Sequence, residues 1–347
     1  MVTSNWKSNE NCKTIRMSFK RKVANIVGGT YIPELINIFF KGAKIVFYHG
    51  VVDQPLVNPI IQANQMPFED FKKQIEYLEE KFEIISIDEF ERRFHTKKLK
   101  GKEVIITFDD GYRNNYTIVA PYLKSRKIPF TVFVCPELSE KQLRVPTFYI
   151  RAAIYSGLLS DLNIPCLNRN YRLITEKEKK NANKELIEKI KISAKDVVDE
   201  ILNDVKSNFN NDQFEILNTQ YSSESLMNWD EIVDLSMNYN CTIGSHCLDH
   251  SILHQYQTED VVISQLIESK IMIEKYLDKC DYFAFPNGIS NSVSNFSIKK
   301  AAEIYKFGFS VNGSKVDYSD CRGYISRFSL APQFNSFKVQ FLVLSNL

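Results

Sequence analysis

The sequence predicts an α/β protein, a distorted, incomplete (β/α) TIM-like barrel of about seven parallel strands with a helical insertion. Three observations carry that expectation. Short apolar runs alternate with stretches of helical spacing, the pattern of parallel strands joined by crossover helices. The residues with the most chemistry, Asp109, Asp110, His246 and Pro286, fall at or just past the ends of apolar runs, where barrel active sites lie. A polar, Lys/Asn/Glu-rich stretch from about 140 to 228 breaks the alternation.

Residues 1–42 form a basic segment, with Lys7, Lys13, Arg16, Lys20, Arg21, Lys22 and Lys41 set against Glu10 and Glu34. Apolar residues such as Ile26, Tyr31, Leu35 and Phe39 are mixed among them. One reading is an amphipathic stretch on an anionic membrane surface. The plainer reading, which we favour, is a helix packed on the domain or a frayed terminus. The barrel is expected over 43–335, with strands at 44–48, 83–87, 103–108, 130–135, 241–245, 281–285 and 307–311. Helices are expected at 68–81, where Phe68, Phe71, Ile75, Leu78 and Phe82 recur at helical spacing, and at 116–127, 229–239, 258–279 and 296–306. The insertion carries helical runs such as 175–207. It is either a solubilising excursion on the rim or a lid or wall of a substrate groove. Residues 336–347 read as a C-terminal tail.

The stretch Val104-Ile105-Ile106-Thr107-Phe108-Asp109-Asp110-Gly111-Tyr112 is a buried strand running into two carboxylates and a glycine. Where a strand ends and the chain turns, both carboxylates can reach one cavity, one to hold a metal and the other to move protons. The bland alternative is a strand followed by an Asp-Gly turn. Downstream, Gly244-Ser245-His246-Cys247-Leu248-Asp249-His250 follows another apolar run. Two imidazoles at this spacing fall on one face of a helical turn. With one Asp they make the N, N, O donor set of a catalytic zinc site with an open position. The chain has only five His, and two of them are here.

Thr107-Phe108-Asp109-Asp110-Gly111 together with His246-Cys247-Leu248-Asp249-His250 resembles the NodB-homology polysaccharide deacetylases, carbohydrate esterase family four. Phe283-Ala284-Phe285-Pro286-Asn287-Gly288 is similar to that family's third motif, and the resemblance covers about residues 43 to 330. It implies a metal-dependent hydrolysis of an N-acetylated amino sugar, with Asp110, His246 and His250 holding a divalent ion, zinc by its donor set. It matches Asp109 to the general base and the backbone N–H of Tyr112 to oxyanion stabilisation. An outer carboxylate orienting a histidine is the other reading of Asp109.

The chain departs from the family in two places. Many relatives supply the acid as a late His, but no His follows His254. A subset with a Tyr-His at the end of the first strand points to His49, in Tyr48-His49-Gly50, with His254 as runner-up. His95 reads as surface. Where relatives carry an Arg two before the Pro, this chain has Ala284. Arg327 or Arg113 is the candidate replacement, and Arg327 joins Pro286 and Asn287 as candidate substrate-side residues. Cys247, in place of Ser or Thr, is expected to point away from the ion. Trp229 is expected in the core.

A net charge of +2 argues against a nucleic-acid partner. Seven cysteines, with no CxxC pair, suggest a reduced compartment. Residues 1–40 lack an apolar run of signal-peptide length, and no stretch approaches the roughly 20 apolar residues of a membrane span. The expectation is a cytoplasmic protein, with membrane contact confined to the basic segment. The function expected is N-deacetylation within a surface-glycan oligosaccharide, polymer or lipid-linked precursor. Its rivals are a deformylase or other amidase on the same scaffold, and a glycan-binding protein without turnover.

Overall fold

The first elements among the described residues are β1 (Lys44–Tyr48), β2 (Gly50–Val52), β3 (Gln65–Pro67), α1 (Phe68–Lys81), β4 (Glu83–Ile84), α2 (Ile87–His95) and β5 (Glu103–Phe108). A π-helical turn, Asn115–Val119, leads into α3 (Ala120–Ser125) and β6 (Phe130–Val134). The insertion comprises α4 (Pro136–Glu140), α5 (Pro146–Tyr155), β7 (Asp161–Ile164), β8 (Arg169–Arg172), α6 (Glu176–Ile192), α7 (Lys195–Ser207) and α8 (Asn211–Gln220). The barrel resumes with α9 (Trp229–Asn238), β9 (Cys241–Ser245), α10 (Glu259–Glu274), β10 (Tyr282–Ala284), α11 (Asn295–Ile304), β11 (Phe307–Phe309), β12 (Phe328–Ser329) and α12 (Phe334–Leu342). This computed structural model describes Thr30, residues 43–316 and residues 318–342. The basic N-terminal segment, Thr30 apart, lies outside the described residues.

Seven strands pair in parallel in the order β11-β10-β9-β6-β5-β1-β12. Ile325 pairs with Phe309 and Phe328 with Val46, so the short segment around β12 bridges the two edges of the curled sheet. The result is the expected distorted, incomplete barrel. Strands covered on both sides are apolar throughout, and β1, β5 and β6 are buried along their whole length. The two-residue period sorts their side chains. Ile45, Ile105, Phe133, Phe307, Phe309 and Ile325 share one core, whereas Val46, Val104, Ile106 and Phe108 belong to a second core with the helices.

The expected helices form with small shifts at their ends. Three expectations are corrected. The strand expected at 83–87 is only two residues of ladder beside β5, because Ser86 caps α2 by accepting from the Glu89 N–H. Its place among the seven strands goes to β12. The boundary at 336 cuts through α12, which packs Phe337 on Tyr77 and Phe341 on Phe82. Within the insertion, the helical run 175–207 is two helices that break at Ser193 and Ala194. A β7–β8 hairpin, turning at left-handed Asn168, also stands where no strand was expected. The insertion has a core of its own around Phe148, Ile154, Leu162, Leu186, Ile201 and Val205.

Candidate active site

Ile105, Thr107 and Asp109 alternate onto one side of β5 and its extension. There Asp109 meets Arg327. Nη1 donates to Oδ1 at 2.7 Å and Nη2 to Oδ2 at 2.8 Å, and Nη1 also donates to Thr107 Oγ1 at 3.1 Å. The arginine is 0% exposed, and its guanidinium lies 4.8 Å from the Phe47 ring and 5.2 Å from that of Phe133. A planar fork of this kind fixes both the position and the ionisation of a carboxylate. Burial would raise the Asp109 carboxyl, but Arg327, aided by His246 and His49, holds it below its ordinary value.

Asp110 leaves the strand with φ of 72°, and Gly111 follows at 78°. A Cβ on Gly111 would sit 3.0 Å from Val134 Cγ1, so this turn requires glycine. The kink breaks the strand alternation, and Asp110 meets two imidazoles. His250 Nε2 lies 3.2 Å and His246 Nε2 3.5 Å from Asp110 Oδ1. One ligand atom from each of the three residues falls within 4.8 Å of the others.

Asp110 Oδ1 is buried and has no hydrogen-bond partner, while Oδ2 accepts from Asn64 Nδ2 at 3.4 Å. An orphaned buried carboxylate oxygen facing two imidazole nitrogens fits a cation, since such an atom is costly without a partner. His246 Nδ1 bonds the Ala284 carbonyl at 2.7 Å. A carbonyl only accepts, so Nδ1 carries the proton and Nε2 is left as a ligand. Burial, opposed chiefly by Asp109, pushes His246 down to about 4, which keeps it neutral. Burial would also lower His250, but the Asp110 carboxylate beside it wins and raises it. The same pairing outweighs burial at Asp110 and holds its carboxyl well below the usual range.

The two histidines do not sit on a helical turn as expected. Cys247 and His250 have φ of 62° and 68°, and these left-handed steps bring the rings to 5.2 Å at an interplanar angle of 74°. Cys247 is fully buried in the core, away from the cavity. Tyr112 is also fully buried. Its pairing with Leu226 is the non-hydrogen-bonded kind, because the bonds run from Arg113 N–H to Ser225 O and from Met227 N–H to Gly111 O. The Tyr112 N–H therefore faces away from the 226 segment.

His49 is half-buried and lines the cavity at the mouth together with Asn64, His250 and Asn287. His254 lies outside the cavity lining. It is 2% exposed, with Nε2 bonded to Ser193 O at 3.0 Å and Nδ1 accepting from Tyr256 N–H at 3.1 Å. His95 is exposed and stacks on Phe307, as a surface histidine should. Two substrate-side expectations are corrected. Pro286 is buried and outside the cavity lining, and Arg327 is sealed in the barrel, where it buttresses Asp109. Arg113 pairs instead with Glu231 near the surface. Trp229 stacks on Tyr276 at 4.1 Å as part of the core.

Sequence reasoning missed Asn64, which holds both Asp110 and the Tyr112 hydroxyl, the latter at 3.2 Å. It lies in the loop between β2 and β3, with no motif around it. It also missed Glu224, fully buried where the insertion rejoins the barrel. Gln65 Nε2 bonds its Oε1 at 2.9 Å, and its Oε2 has no partner. Burial pushes this carboxyl up to about 7.

Residues 96–189 match the family described as polysaccharide deacetylase. No curated protein matches the sequence. Among solved structures, the Streptococcus pyogenes deacetylase PplD, in complex with acetate, is similar with a TM-score of 0.54 at 16% identity, over 85% of this chain and 96% of that one. IcaB from Ammonifex degensii gives 0.54 at 16% identity, over 88% and 98%. A de-N-acetylase from Aggregatibacter actinomycetemcomitans gives 0.50 at 12% identity, over 84% and 95%. At these identities the likeness is one of fold.

Proposed function

We propose that this chain, which carries a polysaccharide deacetylase match and shares its barrel with solved deacetylases, is a metal-dependent N-deacetylase. It hydrolyses the acetamide of an N-acetylated amino sugar in a surface-glycan oligosaccharide, polymer or lipid-linked precursor. The observation that carries the reading is the unpartnered, buried Oδ1 of Asp110, facing His246 and His250 beside a carboxylate locked by Arg327. Asp110, His246 and His250 hold a divalent cation, and the N, N, O donor set suits zinc. Such an ion polarises a carbonyl and makes water more acidic.

The protein supplies the rest. Asp109, kept ionised and aimed by Arg327, takes the proton of the attacking water. The Tyr112 N–H donates to the oxygen on which charge develops. His49, at the cavity wall, gives a proton to the departing amine, and the C–N bond breaks to leave acetate and a free amino sugar. Asn287, also in the wall, contacts the substrate. The reading places the reaction in the cytoplasm, in keeping with the described cysteines being free thiols. No helix among the described residues is long and apolar enough to cross a membrane.

The test is to incubate purified protein with N-acetylglucosamine oligomers and measure acetate and new amines with and without chelator. Acetate release that stops on chelation and returns with zinc is expected. Formate release from N-formyl substrates alone would point to a deformylase, and binding without any acyl release to a glycan-binding protein.

A further inference from the structure

The cavity at the barrel mouth is larger than the reaction centre needs. Its volume is about 970 Å³, near the top of the roughly 300–1,000 Å³ range of small-ligand sites. Beyond His49, Asn64, His250 and Asn287, much of its lining comes from α4, α5, α6 and α7 of the insertion.

The charges in that lining do not balance. Its acids are already committed. Glu137 pairs with Lys141, while Asp199 and Asp249 both pair with Lys195, at 2.8 and 2.6 Å. Arg144, Arg151, Lys191 and Lys206 line the same cavity and make no ion pair with a carboxylate among the described residues. Arg144 is buried and donates to neutral oxygens, to Asn218 Oδ1 at 2.7 Å and Ser225 Oγ at 3.3 Å. Arg151 donates to Thr147 Oγ1 at 3.1 Å, and its Nε is buried without a partner. Lys206 lies 4.6 Å from the centre of the Tyr149 ring. Of the charges acting on Glu224, that of Arg151 is the largest, but no ion pair joins the two. Burial also pushes Glu224 up to about 7, which leaves it partly protonated near neutrality.

Neutral oxygens satisfy N–H donors but leave the positive charge uncompensated. A cation withdrawn from water in that condition is costly until a counter-charge arrives. Guanidinium groups are suited to supplying bonds to carboxylate or phosphate. We infer that the insertion forms a subsite for a negatively charged substituent of the substrate, a carboxylate or phosphate carried next to the acetamido sugar. Arg151 and Lys206 are its principal contacts, and Arg144 adds fixed charge behind them. The inference rests on the deacetylase reading for the sugar and on the cavity's own charges for the anion.

Two substrate pairs separate the sources of the anion. One compares oligomers of N-acetylglucosamine alternating with glucuronic acid against neutral oligomers of equal length. The other compares N-acetylglucosamine 1-phosphate with the methyl glycoside. In at least one pair the anionic member should have the higher kcat/KM by about tenfold or more, the scale of a charge-assisted hydrogen bond. The preference should shrink as salt rises. Arg151→Gln and Lys206→Gln should each move the ratio towards one, with thermal melts reporting folding. Should Arg151→Gln not fold, Lys206, which is only half-buried, makes Lys206→Gln the deciding variant.

Calorimetric binding of N-acetylglucosamine 1-phosphate to the Asp109→Asn protein is a readout free of turnover. Ratios near one in both pairs, indifferent to salt and to both substitutions, overturn the subsite and leave the deacetylase reading standing. If no substrate releases an acyl group, the deacetylase reading falls. Calorimetry then decides the subsite alone, upheld by phosphate-dependent binding that Lys206→Gln weakens and overturned by its absence.

Discussion

At the mouth of the barrel the charged groups have assigned partners, whereas the insertion that helps wall the same cavity leaves four cations with no carboxylate of their own. Asp109 is held by both nitrogens of the Arg327 fork, and Asp110 by Asn64 on one oxygen with two imidazoles facing the other. These groups sit just before or just after barrel strands or, for Asn64, at the entry to β3, which fixes their geometry. Arg151, Lys191 and Lys206 instead project from helices of an inserted unit with its own core. On the proposed reading the difference separates two roles: the barrel carries the reaction, and the insertion meets the rest of the substrate.

The sharpest way to break this contrast is to remove a partner at the mouth. Arg327→Met leaves the Asp109 carboxylate buried and unpaired. It should cost about 3–5 kcal/mol in stability, as breaking a buried pair does, together with most activity. Arg113→Ala, which removes an ion pair exposed on the arginine side, should cost no more than about 1 kcal/mol. Denaturant midpoints compare the two, and equal costs would erase the distinction. Asp109→Asn should next reduce turnover by about 10²–10⁴-fold while the protein still binds metal, because the residue is assigned to proton transfer. Wild-type turnover in that variant rejects the assignment.

His49→Asn tests the acid. A loss of about 10²–10⁴-fold is expected, with a flattened alkaline limb in the pH–rate profile and metal content unchanged. His254→Asn should lower stability slightly and leave the profile's shape alone, since both ring nitrogens are occupied where the insertion docks. An altered profile in His254→Asn with a normal one in His49→Asn reverses the assignment.

The smallest effect lies at the seam between the two regions. Burial raises Glu224 from its ordinary value of 4.5 to about 7. Below pH 4.5 the carboxyl is protonated in both folded and unfolded chains and carries no penalty. As pH rises towards 7 the unfolded chain ionises first, so stability falls over that window, by on the order of 3 kcal/mol at most. Glu224→Gln should remove this slope, visible as a wild-type-minus-variant difference in melting free energy between pH 4.5 and 7. A difference that stays flat or rises with pH would count against it.

What the sequence disclosed follows the same division. The clustering of Asp109, Asp110, His246 and His250 was legible because strand-end residues are written in contiguous motifs, and the barrel because strands covered on both faces are mostly apolar. Arg327 was legible only as one option of two, since its partner lies far away in the chain. The left-handed turns at Cys247 and His250 were hidden because neither residue is a glycine. Asn64 comes from a loop with no period, and β12 is too short to have one. The unbalanced cavity could not be read at all. Its charges lie on separate helices whose spacing reports which face is buried, not what that face will meet.

The central claim is that Asp110, His246 and His250 form one metal site on which acyl release depends. It is tested most directly by titrating metal-free protein with zinc while acetate release is measured in the same samples. The account predicts activity that climbs to a plateau at a single equivalent, and a His250→Ala protein that neither binds that equivalent nor releases acetate. Full stoichiometric binding by His250→Ala, or undiminished acetate release from metal-free wild-type protein, would contradict it.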